Sequence, residues 1–528
     1  MPLPPGVRQR DFSSALREFE AAVGGGWVFS STEDVDLYRD SYSPFWGENE
    51  EPVPSAAVAP DTVEQVQAIV RTANKYRIPL WTVSTGKNLG YGGSAPVLSG
   101  SVVLDLKRMN RILEVNEKNA YALVEPGVSY FDFYRYTQEH KLRVWMDCPD
   151  PGWGSLIGNA LDRGGGHSPM RDHFDAHCGM EVVLASGEVV RTGMGAMPNS
   201  KTWQQYKYGF GPYLDGMFSQ SNFGIVTKMG FWLLPEPDAY FSGTVQVRRQ
   251  NDIVPLVDVM SRLYNSGTIQ GTSSITSPVN TGTGDAELVA LRERPGGASV
   301  EDLERYGASR NVPYWSTLLQ FYGSPKVIAA QWEYAREQCA SIPEVSFAEG
   351  TSLRFPLDPA QTEKLANKAR YAVPSLDIFI NTGGRNNGHM FLSPIIPMTG
   401  QAVIEAQRVF NDLRREMGGT GPAPTMVLGS YYARSFLILF VFPIEHEVEA
   451  NRRNRAMFRR FVQVAADHGW GEYRTHTAFM DDVARSYSFN NHALLRLQET
   501  IKDALDPNGV LSPGKSGIWP RRLRRARA

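Results

Sequence analysis

Ser84-Thr85-Gly86-Lys87-Asn88-Leu89-Gly90-Tyr91-Gly92-Gly93 follows an apolar run, Ile78-Pro79-Leu80-Trp81-Thr82-Val83, that reads as a buried strand. Its glycines let the backbone turn tightly and bring N–H groups close to a ligand. A concavity of N–H groups suits phosphate oxygens, although a turn that binds nothing has the same composition. Its company favours the ligand. Pro149, then Gly154-Ser155-Leu156-Ile157-Gly158-Asn159, then Gly224-Ile225-Val226 are further small-residue turns beside apolar runs. A long, multi-phosphate ligand such as a dinucleotide needs several such turns.

The segments around the loop alternate. Asp61, with Glu64 three residues on, has the spacing of a helix cap, and Val63, Val66, Ile69, Val70 and Ala73 mark one helical face. Ile112–Val115 with Tyr121–Val124, and Glu181–Leu184 with Glu188–Arg191, read as hairpins. Ser129–His140 reads as a helix. Residues 10–50 read as a helix and a mobile, acidic connection. After Pro235-Glu236-Pro237 the pattern changes to longer strands each followed by a helix: Ser242–Val247, Thr317–Tyr322, His389–Ser393 and Leu437–Phe442 precede Val254–Tyr264, Lys326–Cys339, Ala402–Met417 and Val448–His468. That order predicts an α+β unit over residues 238–470.

The chain has 528 residues, enough for two or more domains; it is 42% hydrophobic and 21% charged, as ordinary globular proteins are. A net charge of −2 implies neither a nucleic-acid nor a membrane partner. The basic tail from Arg521 to Arg527 reads as a solvated end. Cys148, Cys178 and Cys339 form no disulfide framework and no metal-ligand spacing, which favours a reducing, cytoplasmic setting without a bound metal. Met1–Pro5 has neither a basic nor an apolar leader region. Met426–Pro443 is apolar but interrupted, and reads as two buried strands.

Two motifs mislead. Gly509-Val510-Leu511-Ser512-Pro513-Gly514-Lys515-Ser516 spells a Walker A loop, but Pro520 follows too soon for the helix such a loop must open. Gly193-Met194-Gly195 lacks the third glycine and the helix of a dinucleotide fingerprint. A dinucleotide here needs a different fold.

The glycine loop, ending in Gly-Tyr-Gly-Gly, resembles the diphosphate loop of the vanillyl-alcohol oxidase / 4-cresol dehydrogenase family of flavoproteins. The resemblance recurs in Cys148-Pro149-Asp150, Tyr208–Pro212, Ser219–Lys228, Gly471-Glu472-Tyr473-Arg474-Thr475-His476, Asp506–Gly509 and Pro513–Gly517. It implies a two-part, PCMH-type FAD-binding domain from residues 1–236 and 471–528, with a substrate cap inserted at 237–470. It implies FAD held by Ser84, Thr85, Gly86, Lys87, Asn88, Leu89, Gly90, Pro149, Gly154, Ser155, Asn159, Gly224, Ile225 and Val226.

The same resemblance implies roles for single residues. His389, in Asn387-Gly388-His389, matches a histidine that many members link covalently to the flavin; by itself it reads as a core histidine. Other members use an upstream tyrosine, absent from Ile378-Phe379-Ile380-Asn381, and no histidine precedes His140 to activate His389. Tyr91, Tyr473 and Arg474 match the residues that hold the substrate phenolate. Asp172 matches a base near flavin N5; Arg171 beside it offers an ion pair, and with His167 and Met170 departs from the family pattern. Lys515 matches a cation beside the flavin N1–C2 edge. The implied activity is oxidation of para-substituted phenols, such as vanillyl alcohol and eugenol, by hydride transfer through a para-quinone methide. The electrons go to dioxygen, giving hydrogen peroxide, or to a cytochrome, and the chain forms a homodimer or larger assembly.

Overall fold

The computed structural model describes residues 2–282, 284–294, 297–377, 388–417 and 427–524. The Ile378–Asn381 stretch, Asn387, Met426 and residues 525–527 of the tail lie outside the described residues. Three larger sheets organise the chain. The first orders Val28–Phe29, Ala56–Val58, Val102–Asp105 and Leu80–Val83, with Ala56–Val58 and Leu80–Val83 both parallel to Val102–Asp105. Parallel strands need buried faces. Helices Gln9–Val23 and Val63–Tyr76 supply that cover, through Phe12, Phe19, Val66, Ile69 and Val70. The cap of the second helix is Thr62 rather than Asp61: Thr62 Oγ1 accepts the Gln65 N–H, and Asp61 lies one residue outside.

The second sheet is antiparallel and orders Ile112–Asn116, Tyr121–Val124, Gly224–Trp232, His177–Leu184 and Val189–Arg191. Ser129 closes a capping box with Asp132 and starts the helix Tyr130–Glu139. The third sheet is wholly antiparallel. It runs Ser346–Arg354, Ala239–Val247, Trp315–Gly323, Ser274–Thr276, Val427–Tyr432, Ser435–Pro443 and His389–Leu392, with Ile395–Pro397 also on Ser435–Pro443. Helices Ile253–Asn265, Pro325–Cys339, Gly400–Glu416 and Val448–Asp467 bury Leu256, Trp332, Phe410 and Phe461 in its core. No helix among the described residues is long and apolar enough to cross a membrane. The three cysteines are buried and unpaired.

The C-terminal residues return to the first sheet. Leu80 donates to Val510 O (2.7 Å) and accepts from Ser512 N–H (2.8 Å). Asp506 takes the N–H groups of Val510 and Leu511 and the ammonium of Lys502 at 2.8 Å, all fully buried. Residues 515–517 form a single 3-10 turn, followed among the described residues only by a second one at Arg521–Leu523 and by no α-helix. The connection at 37–51 corrects the expectation of a mobile segment. Glu48 pairs with Arg455 (2.7 Å) and Arg452 (3.0 Å), and Asp40 with His476 (2.8 Å). Acidic composition looked like solvation; the long-range basic partners are invisible in sequence.

Candidate active site

Strand alternation builds one wall of the site. In His389–Leu392, Met390 and Leu392 face the core of the third sheet. His389 and Phe391 therefore share the opposite face. That face meets the glycine loop. A Cβ on Gly90, whose φ is +83°, would lie 3.0 Å from the Phe391 ring and 3.3 Å from His389. The neighbouring Gly92, φ +110°, has Thr477 Oγ1 at 2.4 Å from its Cβ direction. Only glycine permits both the turn and the approach.

Tyr91 stands between these glycines, 7% exposed, its ring 5.4 Å from Phe391. The Arg474 guanidinium lies 3.9 Å from the centre of the Tyr91 ring and 5.5 Å from that of Tyr473. Tyr473 is fixed by its backbone, which donates to Ser393 O (3.2 Å) and accepts from Gln220 Nε2 (3.0 Å). Burial opposes the arginine's charge, but Tyr473, Tyr91 and Asp162 outweigh it and hold its pKa above the ordinary value. Its Nε is buried and meets no acceptor among the described residues. Tyr91 and the distant pair Tyr473-Arg474 thus form one cationic, hydroxyl-bearing cluster.

Asp162 joins the cluster to both ends of the chain. It accepts from Lys515 Nζ (2.8 Å) and from Asn88 Nδ2 (3.1 Å) of the glycine loop. Burial would raise its carboxyl; the charges of Lys515 and Arg474 prevail and hold it below its usual range. Asn159 reaches His173 Nδ1 (2.5 Å), which also meets the Tyr130 hydroxyl (3.1 Å). Ser155 caps the short helix Leu156–Leu161, and Thr85 Oγ1 donates to Trp153 O, which brings the first two small-residue turns together. Ser84 approaches Gly158 in the same place. Lys87 lines a separate cleft of about 360 Å3 with Thr85, Gly86, Tyr38 and Lys107. The third turn differs: Ile225 and Val226 point into the hydrophobic cores, so only their backbone can face a ligand.

His389 is 4% exposed, its ring between Tyr42 (5.2 Å) and Phe391 (4.4 Å). Its Nδ1 is buried without a partner among the described residues, and burial pushes its pKa down to about 4. A neutral imidazole with a free nitrogen is nucleophilic, whereas a satisfied core histidine is not.

Asp172 departs from the expected arrangement. Its Oδ1 accepts the N–H groups of Phe174 (3.0 Å) and Asp175 (3.1 Å), closing a local turn. It makes no pair with Arg171, whose guanidinium instead lies 5.0 Å from the ring centre of Tyr264. Asp150, to which the sequence reading gave no role of its own, accepts from Ser375 Oγ (3.2 Å) in the turn between Pro149 and Gly154. The only sequence signal for it was its place in the Cys148-Pro149-Asp150 block.

Glu472 was also missed. Its two oxygens lie 2.8 and 3.0 Å from Ser393 N, and the hydroxyl of Tyr487 donates to its carbonyl. Burial pushes its carboxyl from 4.5 up to about 8, against the pull of the Ser393 N–H and of Arg474. A folded pKa above the unfolded one means that the protonated form is favoured by folding, and that contribution is lost as pH rises from 4.5 to about 8. Glu472→Gln, which imitates the protonated side chain, therefore flattens the fall of the melting temperature across this window. Parallel melting curves for both proteins would refute the assignment.

Residues 54–193 match the family described as FAD binding domain, and residues 298–516 the C-terminal domain of FAD linked oxidases. The chain is 34% identical over 519 residues to the 4-cresol dehydrogenase [hydroxylating] flavoprotein subunit of Pseudomonas putida, covering 98% of this chain and 97% of that one. The crystal structure of p-cresol methylhydroxylase with substrate bound aligns with a TM-score of 0.85 at 33% identity, over 98% of this chain and 99% of that one. The isoeugenol complex of 4-ethylphenol oxidase from Gulosibacter chungangensis aligns with a TM-score of 0.82 at 34% identity, over 99% of this chain and the whole of the other. The residues present fit a flavin: a glycine cradle at 86–93, an orphaned nitrogen on His389 and another on Arg474. Among the described residues no cluster of side chains is suited to a metal ion. The chain belongs to the PCMH-type FAD-linked oxidoreductases, with FAD as its cofactor.

Proposed function

We propose that this enzyme is an oxidase of para-substituted phenols, of the vanillyl-alcohol and eugenol type. The reaction is a two-electron oxidation at the benzylic carbon. It gives a para-quinone methide, which adds water, or it carries a benzylic alcohol to the aldehyde. FAD supplies the two-electron acceptor, and dioxygen takes the electrons to give hydrogen peroxide. A two-part domain, 1–236 with 471–528, would hold the flavin, and residues 237–470 would form the cap over the substrate.

The observation that carries this reading is the Arg474 guanidinium between the Tyr91 and Tyr473 rings. A guanidinium and two hydroxyls converging on a phenol oxygen stabilise the phenolate by charge-assisted hydrogen bonds. The deprotonated ring then pushes electron density toward the para carbon. These donors are aimed before the chemical step, so no reorganisation is needed during it. Lys515 and Asn88 hold Asp162, and through it the position of Arg474. Asp150 is assigned the proton of the benzylic hydroxyl or of the attacking water in place of Asp172, whose Oδ1 two backbone N–H groups already occupy. His389 holds the flavin covalently through its unpartnered nitrogen.

A second reading has an observation of its own. The similar P. putida protein is named a dehydrogenase subunit, so electrons passing to a cytochrome are the alternative. Stopped-flow reduction with 4-ethylphenol, then mixing with air, separates the two. Rapid return of the yellow colour with peroxide supports the oxidase; a reduced flavin that persists in air supports the dehydrogenase. Absence of bleaching with every para-alkylphenol would overturn both. Acid precipitation of wild type and His389→Ala tests the link: colour stays with the first and leaves the second.

A further inference from the structure

Residues 164–173 wrap around a buried carboxylate. Asp147 accepts the N–H groups of His167 (3.1 Å), Ser168 (3.0 Å) and Arg171 (2.7 Å), which fills both of its oxygens. This holds Arg171 at φ +57°, in the left-handed region that few non-glycine residues occupy. The side chain crosses to the cap, over the Tyr264 ring. Its Nη1 is buried and has no hydrogen-bond partner, and Arg171 has no ion-pair partner among the described residues. A second guanidinium, Arg370, acts electrostatically on His167, Tyr322 and Tyr240, and likewise has no carboxylate partner among the described residues.

Thr272, Gln320 and Tyr322 are hydrogen-bonded to their neighbours here. Thr272 N and Oγ1 donate to His167 O (3.2 Å) and Gly166 O (2.7 Å). Gln320 Nε2 donates to Thr272 O, while its Oε1 takes the Tyr240 hydroxyl at 3.1 Å. The Tyr322 hydroxyl reaches Arg370 O at 2.9 Å. His167 is neutral, since burial pushes its pKa down to about 4. The carboxylate here, Asp147, spends both oxygens on backbone N–H groups and pairs with neither guanidinium. His173 links it toward the phenol site: its Nδ1 meets the Tyr130 hydroxyl (3.1 Å) and its Nε2 lies 3.6 Å from Asp147 Oδ2, while Tyr130 feels the charge of Arg474.

We propose that Arg171 and Arg370 bind a carboxylate at the end of the substrate's para side chain, so that the preferred substrates are 4-hydroxyphenyl acids. A buried guanidinium N–H without an acceptor is costly, and a planar carboxylate supplies two acceptors in matching geometry. With a phenolate at Arg474 and a carboxylate at Arg171, the substrate is held at both ends and its benzylic carbon is fixed between them.

The inference rests on the phenol reading, and the test separates them. The ratio of kcat/KM for 3-(4-hydroxyphenyl)propanoate to that for its methyl ester is measured in the wild type, Arg171→Gly and Arg370→Gln. The wild type favours the acid, and each substitution lowers the ratio about 10- to 100-fold, as loss of a charged hydrogen bond does. Glycine relaxes the left-handed backbone at 171, so the fold is kept; Arg171→Asn, also tolerant of that conformation, carries the same expectation. A wild type that prefers the ester, or a ratio that no substitution moves, overturns the proposal while leaving the phenol reading intact. A wild type whose flavin is bleached by neither compound nor by 4-ethylphenol overturns both.

Discussion

Replacing Arg474 by glutamine lowers kcat/KM for 4-alkylphenols about 100- to 1,000-fold at neutral pH, the range found when one preorganised donor to a developing or resident oxyanion is lost. The physical reason is the phenol's own acidity. A free phenol loses its proton near pH ~10, so at pH 7 the site must supply the stabilisation of the anion. Among the described residues only Arg474 supplies a full positive charge against both tyrosine rings. Without it the enzyme depends on phenolate already present in solution. The residual kcat/KM then climbs roughly tenfold per pH unit toward pH ~10, while the wild type is flatter. Steady-state rates from pH 6 to 10 provide the comparison. An equal loss at every pH would mean that Arg474 merely supports the fold.

Lys502→Met destabilises the protein by about 3–5 kcal/mol, the usual cost of stranding one partner of a buried ion pair. Lys502 and Asp506 are both fully buried and 2.8 Å apart. The ammonium also donates to Asn222 O (2.7 Å) and Leu511 O (2.6 Å), so its loss orphans two carbonyls as well as a carboxylate. These contacts join the C-terminal return to the start of the strand Gly224–Trp232, and the same return carries Lys515. The surroundings of the flavin in the variant therefore open at lower urea than in the wild type, before the cap unfolds. Lys502→Met/Asp506→Asn recovers part of the loss, because the stranded charge is gone. Urea titrations followed by flavin and tryptophan fluorescence read both effects; a shift of the single variant below about 1 kcal/mol would contradict the assignment.

The cap was legible in sequence because its elements are long and periodic. Ser242–Val247, Thr317–Tyr322 and Leu437–Phe442 fall within observed strands, and Val254–Tyr264 within the helix Ile253–Asn265. The strand Ser346–Arg354 escaped notice. It is an edge strand with largely exposed side chains, and its polar sequence carries no alternation of hydrophobic residues. The helices Ala286–Glu293 and Val300–Arg310 were likewise passed over. The 37–51 connection misled for the opposite reason, since Glu48 and Asp40 pair with residues more than 400 positions away.

Local chemistry, written in the chain, determined the tight loop at 84–93 and the strand carrying His389, because φ preferences and alternation act between near neighbours. Tertiary structure alone decided what those pieces mean together. It brought Tyr91 to Arg474, joined Lys515 to Asp162, turned Asp172 toward its own backbone and left Arg171 without an anion. Charge–charge and hydrogen-bond energies depend on distances of a few ångströms and on exclusion of water, and neither is set until the distant segments have packed.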